Sequence, residues 1–244
     1  MRVTRCHVEN PLAVGQTLSL PEEAANHLVR VMRLREGDGC VLFNGDGHDY
    51  RATLVVVGKR DAQVRIDAAL AVANESPLHI TLLQGIARGE KMDLILQKAT
   101  ELGVNAIVPV NAERTEVKLD AARAEKRLAH WTSVVVSACG QSGRARVPSV
   151  AAPQSLLDAA RQVPAEALKL TLDPLGEHRL STLQPAPGGV VIAIGPEGGW
   201  SPRDRQALAE AGFQGLQLGP RILRTETAGL AAIAAVQARL GDLG

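Results

Sequence analysis

The chain reads as an α/β protein in two parts, a small β-rich module followed by a mostly parallel sheet covered by helices. Three observations carry this reading. The N-terminal part holds short apolar runs separated by turn residues, with a single helical pattern among them. After the polar stretch Ala73-Asn74-Glu75-Ser76-Pro77, apolar strands alternate with amphipathic helices, the order expected of a parallel sheet with helical crossovers. Two late strands end in glycine-bearing loops, Gly195-Pro196-Glu197-Gly198-Gly199-Trp200-Ser201 and Gly219-Pro220-Arg221-Ile222-Leu223-Arg224-Thr225. Strand ends of this kind bind ligands, because glycine lets the backbone approach them closely.

In the N-terminal part, strands are expected at 3–8, 17–20, 40–43, 49–57 and 63–70. Asn44-Gly45-Asp46-Gly47 between two of them is a turn signal, with glycines free to take positive φ. Pro21, followed by Glu22 and Glu23, opens a helix over 22–32 with its acids at the positive end of the helix dipole. Short, evenly spaced strands with one helix predict a small β-barrel-like module over 1–73. The Ala73–Pro77 stretch is the expected boundary, so the second part spans 78–244.

In the second part, a strand at 79–84 leads into a helix over 89–102. Met92, Ile95, Leu96, Ala99 and Leu102 follow helical spacing there, and Gly103 is a fitting stop. Strands follow at 106–110, 168–172, 190–194 and 215–218, while 121–139 holds one long or two helical segments. Ser201, Pro202 and Asp204 have the order of an N-cap, a first helical residue and a capping box for a helix over 202–211. Thr225 is the candidate N-cap of the last helix, 226–240. Its Leu230, Ala231, Ile233, Ala234, Val236 and Ala238 leave it apolar almost all round. Such a helix is buried, either against a second subunit or within the chain.

Composition narrows the function classes. A formal net charge of +1 does not announce a nucleic-acid partner, and aromatics at 2% leave few platforms for base stacking. Cys6, Cys40 and Cys139 are odd in number and scattered, matching neither a disulfide framework nor a zinc site. The six histidines have no metal-ligand spacing, so no metal is expected. No apolar run reaches membrane-spanning length, and the N-terminus lacks the apolar core of a signal peptide. The expectation is a cytoplasmic protein with no membrane partner.

The candidate site residues follow from the loops. Ser201 to Asp204 are explained as a helix start, but two adjacent glycines and Glu197 exceed what a turn requires. Arg224 stands between a strand-end glycine and a helix start, where it either faces a pocket or sits in solvent. Glu226 is the type of residue that complements a helix dipole. Neither a dinucleotide fingerprint nor a P-loop occurs. Gly140-Gln141-Ser142-Gly143 is superficially like a nucleophile elbow, but Arg144 stands in place of its last glycine. Arg88, Lys91, Lys98, Arg114, Lys118, Arg144 and Arg146, with Arg30, Arg33 and Arg35, read either as a solvated face or as a phosphate-contacting groove.

Several of these stretches together resemble a known family. Ile194-Gly195-Pro196-Glu197-Gly198-Gly199-Trp200-Ser201, then Leu218-Gly219 and Ile222-Leu223-Arg224-Thr225-Glu226-Thr227-Ala228, are similar to the loops of the SPOUT (α/β-knot) methyltransferases. Within them the chain resembles the bacterial 16S ribosomal RNA uridine-N3 methyltransferases, with matches also at His27–Arg33, Lys98–Val104 and Gln141–Arg144. The resemblance implies an N-terminal PUA-like RNA-binding barrel, a C-terminal trefoil-knotted domain, S-adenosyl-L-methionine as cofactor and a homodimer. The partner implied is 16S ribosomal RNA or the small ribosomal subunit. By this resemblance Leu172, Ile194, Gly195, Pro196, Glu197, Gly198, Gly199, Leu218, Gly219, Ile222, Leu223 and Thr227 bind the cofactor. Arg224 and Glu197 are the catalytic candidates, and Arg30, Arg33, Arg88, Lys91, Arg114, Gln141 and Arg144 contact RNA. The chain departs from the family at Thr115-Glu116-Val117, Ser137 and Gly140. The alternatives are a non-catalytic RNA-binding ribosome assembly factor and a metabolic enzyme holding a nucleotide in the same loops.

Overall fold

The computed structural model describes residues 4–58 and 61–244. Val3, where the first strand is expected to begin, lies outside the described residues. The chain forms two compact units that are not contiguous in sequence. Described residues up to Glu75 join Val136–Val147 in one, and Ser76–Val135 joins Pro148–Gly244 in the other.

The first unit is a five-stranded sheet of β1 (Arg5–His7), β2 (Thr17–Ser19), β3 (Gly39–Phe43), β4 (His48–Val57) and β5 (Ala62–Ala71) in the order β1-β3-β4-β5-β2. Among the described residues, only the β1–β3 pair of this sheet is parallel. Between β3 and β4, Gly45 and Gly47 take φ of 90° and 98°, as the turn signal predicts. The expected helix over 22–32 divides in two. Helix α1 (Glu22–Asn26) passes into a π-helical turn at His27–Val31, where Met32 N–H donates to His27 carbonyl at 2.9 Å. Leu28 is fully buried in that turn, whereas Val31 and Met32 remain exposed. Arg33 then ends it in the left-handed region at φ 56°, a conformation usually left to glycine. Leu28, Leu42, Leu54, Val64 and Ile66 form the centre of this core.

The second unit is an eight-stranded sheet whose pairs are all parallel among the described residues. Its strands are β6 (Ile80–Gly85), β7 (Ala106–Asn111), β8 (Ser149–Val150), β9 (Gln154–Ser155), β10 (Leu168–Leu172), β11 (His178–Arg179), β12 (Val190–Ile194) and β13 (Gln214–Gln217). The order runs β11-β13-β10-β12-β6-β7-β8, with β9 also on β7. The central strand β12 is buried at every position, as parallel strands covered on both faces are. Leu83, Val191 and Ala193 pack with α4 (Leu156–Arg161) and α5 (Pro202–Glu210). Helix α6 (Thr225–Leu240) lies against α2 (Glu90–Glu101) and β12. The capping box of α5 forms as read: Asp204 N–H donates to Ser201 Oγ, and Ser201 N–H donates to Asp204 Oδ2, both at 3.0 Å.

Residues 121–142 are one helix, α3 (Ala121–Ser142), which resolves the alternative left open above. The two-residue strands β8, β9 and β11 and the short α4 have no counterpart in the sequence reading, because such pieces are too short to show a period. Among the described residues, no helix is long and apolar enough to cross a membrane.

Candidate functional site

The two glycine loops meet at the C-terminal ends of the parallel strands of the second unit. Their junction rests on β6, whose last residues are Gln84 and Gly85. A β-carbon at Gly85 would lie 2.4 Å from Pro196 N and 2.8 Å from Gly195 C, so the first loop crosses this strand end in contact with bare backbone. The second loop is tied to the first through Thr225. Its Oγ1 donates to Gly195 carbonyl at 2.6 Å and accepts from Gln84 Nε2 at 3.0 Å. Gln84 Nε2 donates also to its neighbour's carbonyl at Gly85, 2.9 Å away. Thr225 is therefore not the N-cap. Arg224 holds that position without a side-chain capping bond, and the threonine hydroxyl faces the loops instead.

Between the loops lies a cavity of about 450 Å³, within the range of roughly 300–1,000 Å³ typical of small-molecule sites. Leu172, Ile194, Leu218 and Leu223 give it an apolar wall, and Gly195, Gly199 and Gly219 present backbone to it. Gly199 and Gly219 have φ of 64° and 81°, which a side chain would strain. Trp200 closes one side and donates from Nε1 to Thr171 Oγ1 at 3.0 Å.

Charged groups cluster at the same cavity. Asp173 Oδ1 accepts from Leu175 N–H at 2.9 Å, and its Oδ2 lies 3.5 Å from Arg205 Nη1. Glu197 Oε1 accepts from Arg88 N–H at 3.0 Å and stands 3.5 Å from Lys91 Nζ. Partial burial pushes the Glu197 carboxyl up. The amides of Arg88 and of Glu197 itself, with the Lys91 ammonium, outweigh burial and hold it below the usual carboxylate range. A carboxylate stabilised in this way braces its loop and is a weakened base. Lys91 Nζ also lies 3.8 Å from Glu226 Oε2. Arg224 lines the cavity, is exposed, and makes no side-chain hydrogen bond or ion pair with the described residues.

Of the residues expected to bind a cofactor, Leu172, Ile194, Gly195, Pro196, Glu197, Gly199, Leu218, Gly219, Ile222 and Leu223 line the cavity. Gly198 and Thr227 do not. Gly198 carbonyl accepts from Arg114 Nη1 at 3.2 Å, and a β-carbon there would meet Arg114 Cβ at 2.9 Å. Thr227 N–H belongs to the first turn of α6 and donates to Arg224 carbonyl at 2.9 Å.

The expected RNA-contacting residues divide between the units. In the second, Lys91 lines the cavity, Arg88 pairs with Glu116 and Arg114 holds the first loop. In the first, Arg30, Arg33 and Gln141 are exposed. Arg144 is not: its side chain is 6% exposed, and its Nη2 lies 2.5 Å from Glu75 Oε2. That places Arg144 beneath the surface, where it joins the end of α3 to the segment after β5. Sequence reasoning did not single out Gln84, Gly85, Asp173 or Arg205. For Gly85 a signal existed, a third glycine at the end of an apolar strand.

Comparison with known proteins gives a consistent picture. The RNA methyltransferase domain family matches residues 74–237, and the RNA methyltransferase PUA domain family matches residues 20–67. The chain is 31% identical to the ribosomal RNA small subunit methyltransferase E of Buchnera aphidicola subsp. Schizaphis graminum, over 99% of this chain and 98% of that protein. Its fold is similar to the crystal structure of the ribosomal RNA small subunit methyltransferase E of Neisseria gonorrhoeae bound to S-adenosyl methionine, at 44% identity, a TM-score of 0.95 and full coverage of both chains. A methyltransferase from Legionella pneumophila, solved with bound cofactor SAM, also gives a TM-score of 0.95 and full coverage of both chains, at 39% identity.

Proposed function

The chain belongs to the RNA methyltransferase family, alongside the ribosomal RNA small subunit methyltransferases E, and on that premise we propose that it transfers a methyl group from S-adenosylmethionine to N3 of a uridine in 16S ribosomal RNA. The observation that carries the proposal is the cavity between the two glycine loops, in a chain that aligns over its whole length with a relative bound to this cofactor.

The residues present fit that cofactor. An apolar wall from Leu172, Ile194, Leu218 and Leu223 suits an adenine ring, and the bare backbone of Gly195, Gly199 and Gly219 lets ribose and base edges approach closely. When bound, S-adenosylmethionine supplies an electrophilic methyl group that carries its own leaving group. The chain's work is to orient the two reactants and to manage one proton and one developing charge. Arg224, whose guanidinium has no partner among the described residues, stabilises the negative charge that spreads over uracil once N3 loses its proton. Loss of such a donor slows reactions by about 10²–10³. Glu197, held as an anion by the Arg88 amide and Lys91, keeps the first loop in place.

Arg30, Arg33 and Gln141 are the proposed RNA contacts of the first unit, and Arg88, Lys91 and Arg114 those of the second. Resemblance to the α/β-knot enzymes extends the proposal to a PUA-like barrel over 1–73, a trefoil-knotted domain over 78–244, a homodimer and a cytoplasmic setting.

The test is methyl transfer from labelled cofactor to unmodified 16S RNA or small subunits, with the product nucleoside identified. N3-methyluridine is expected. A different methylated nucleoside overturns the N3 assignment, and RNA binding without transfer points to an assembly factor. Arg224→Ala should bind cofactor and RNA normally while slowing transfer by about 10²–10³.

A further inference from the structure

Three carboxylates line the cavity, Asp173, Glu197 and Glu226, and they differ in what holds them. Both oxygens of Asp173 face donors, the Leu175 amide and the Arg205 guanidinium. Glu197 accepts from the Arg88 amide. Glu226 has a buried Oε2 with no hydrogen-bond partner among the described residues. Its nearest cation, Lys91 Nζ, stands at 3.8 Å, beyond hydrogen-bond distance. Glu226 also sits in the first turn of α6, at the positive end of its dipole. This side chain is only 17% exposed.

From this we infer that Glu226 is the proton acceptor of the methyl transfer and that Lys91 positions it, an assignment that rests on the methyltransferase reading above. Glu226 lies two residues beyond Arg224, so one turn of chain supplies both a guanidinium for the developing charge and a carboxylate oxygen for the proton. The uracil N3–H proton passes to the carboxylate of Glu226, which lines the cavity. The N3 electron pair forms the new bond to the methyl carbon as the carbon–sulfur bond breaks, and that bonding pair stays on sulfur, which becomes neutral. The proton then leaves the carboxyl group for solvent. Lys91, between Glu197 and Glu226 at 3.5 and 3.8 Å, offsets the repulsion of two nearby carboxylates and keeps Glu226 turned inward. The charged groups that line the cavity with Glu226 are Lys91 from α2, Asp173 beyond β10, Glu197 from the first loop, Arg205 from α5, and Arg221 and Arg224 from the second loop.

The experiment uses the full-length protein with Glu226→Gln and Glu226→Asp. It measures cofactor affinity by calorimetry, RNA affinity by filter binding and single-turnover methyl transfer across pH. E226Q should bind both ligands within about threefold of wild type, yet transfer about 10²–10⁴-fold more slowly at neutral pH, as expected when a positioned base is lost. Its rate should then climb with pH as hydroxide removes the proton instead, more steeply than wild type. E226D, which retains a carboxylate and serves where the glutamine variant does not fold, should slow transfer about tenfold with cofactor affinity kept, because its oxygen is drawn back by one carbon–carbon bond. Wild-type rates in either variant overturn the assignment. So does a loss of rate matched by an equal loss of cofactor affinity, which would give the carboxylate to the cofactor's ammonium group. Failure of the underlying reading is separately visible, since the unaltered protein would then form no N3-methyluridine.

Discussion

The hydroxyl of Thr225 reaches across the cavity floor to the carbonyl of Gly195, 2.6 Å away. That bond joins the first turn of α6 to the end of β12, and the amide of Gln84 completes it from β6. One side chain therefore ties both cavity-lining loops to the sheet.

Thr225→Val keeps the shape and removes the hydroxyl. The Gly195 carbonyl and the Gln84 amide then lose a buried partner, at about 1–3 kcal/mol for each group left unpaired. We expect a lower denaturation midpoint and S-adenosylmethionine affinity weakened by roughly tenfold or more. Calorimetry and urea unfolding check both, and an unchanged variant would mean that the loops hold each other without the threonine.

Gly85→Ala tests the strand end beneath the first loop. The added carbon would stand 2.4 Å from Pro196 N, a backbone atom that moves only with the whole loop. A loss of about 3 kcal/mol or more is expected, with cofactor binding abolished where the protein still folds. A variant that binds cofactor like wild type would show that the loop has another seat.

Arg144→Ala is expected to act on stability. Its guanidinium is buried against Glu75, and the end of α3 is held further by Arg5, which donates to the carbonyls of Cys139 at 2.7 Å and Arg144 at 3.1 Å. Removing Arg144 leaves the half-buried Glu75 carboxylate without this partner and costs about 1–3 kcal/mol. A double-mutant cycle with Glu75→Ala should show strong coupling. Additive, small effects would instead return Arg144 to the surface.

Alkaline pH should destabilise the protein through its thiols. Burial pushes Cys6 and Cys139 up to about 11 and Cys40 up to about 12, from an ordinary value of 9.0. A group whose folded value is raised contributes stability that is whole below the unfolded value and is lost as pH climbs towards the folded one. The relevant window therefore runs upward from 9.0 to about 11 or 12. Each thiol contributes about 1.4 kcal/mol per pH unit within it. Thermal midpoints of wild type and Cys40→Ala, measured between neutral and alkaline pH, should converge as pH rises. Parallel curves would count against the thiols.

Much of the scaffold was legible because the relevant signals are local. The apolar runs at 168–172 and 190–194 became β10 and β12 with the expected bounds. Ser201 and Asp204, three residues apart, made their capping box whatever surrounds them. The helix over 22–32 was only half legible. Its residues have helical spacing, but the turn widens at His27–Val31, where Leu28 is buried, and no periodicity reports a π-turn in advance. That the two glycine loops border a pocket was legible from the glycines at strand ends, whereas the individual wall residues Leu172, Ile194, Leu218 and Leu223 came from the family resemblance.

Sequence alone determined that the second part of this chain alternates strands with helices and that two strands end in glycine loops, because periodicity and turn chemistry act within a few residues. Tertiary structure decided what individual side chains do there. Thr225 meets Gly195 across 30 positions and Gln84 across 141, and Arg144 meets Glu75 across 69. No local pattern distinguishes a capping threonine from one that ties two loops, or a surface arginine from a buried one. Those differences arise only when the sheet places distant strand ends side by side and removes water from between them.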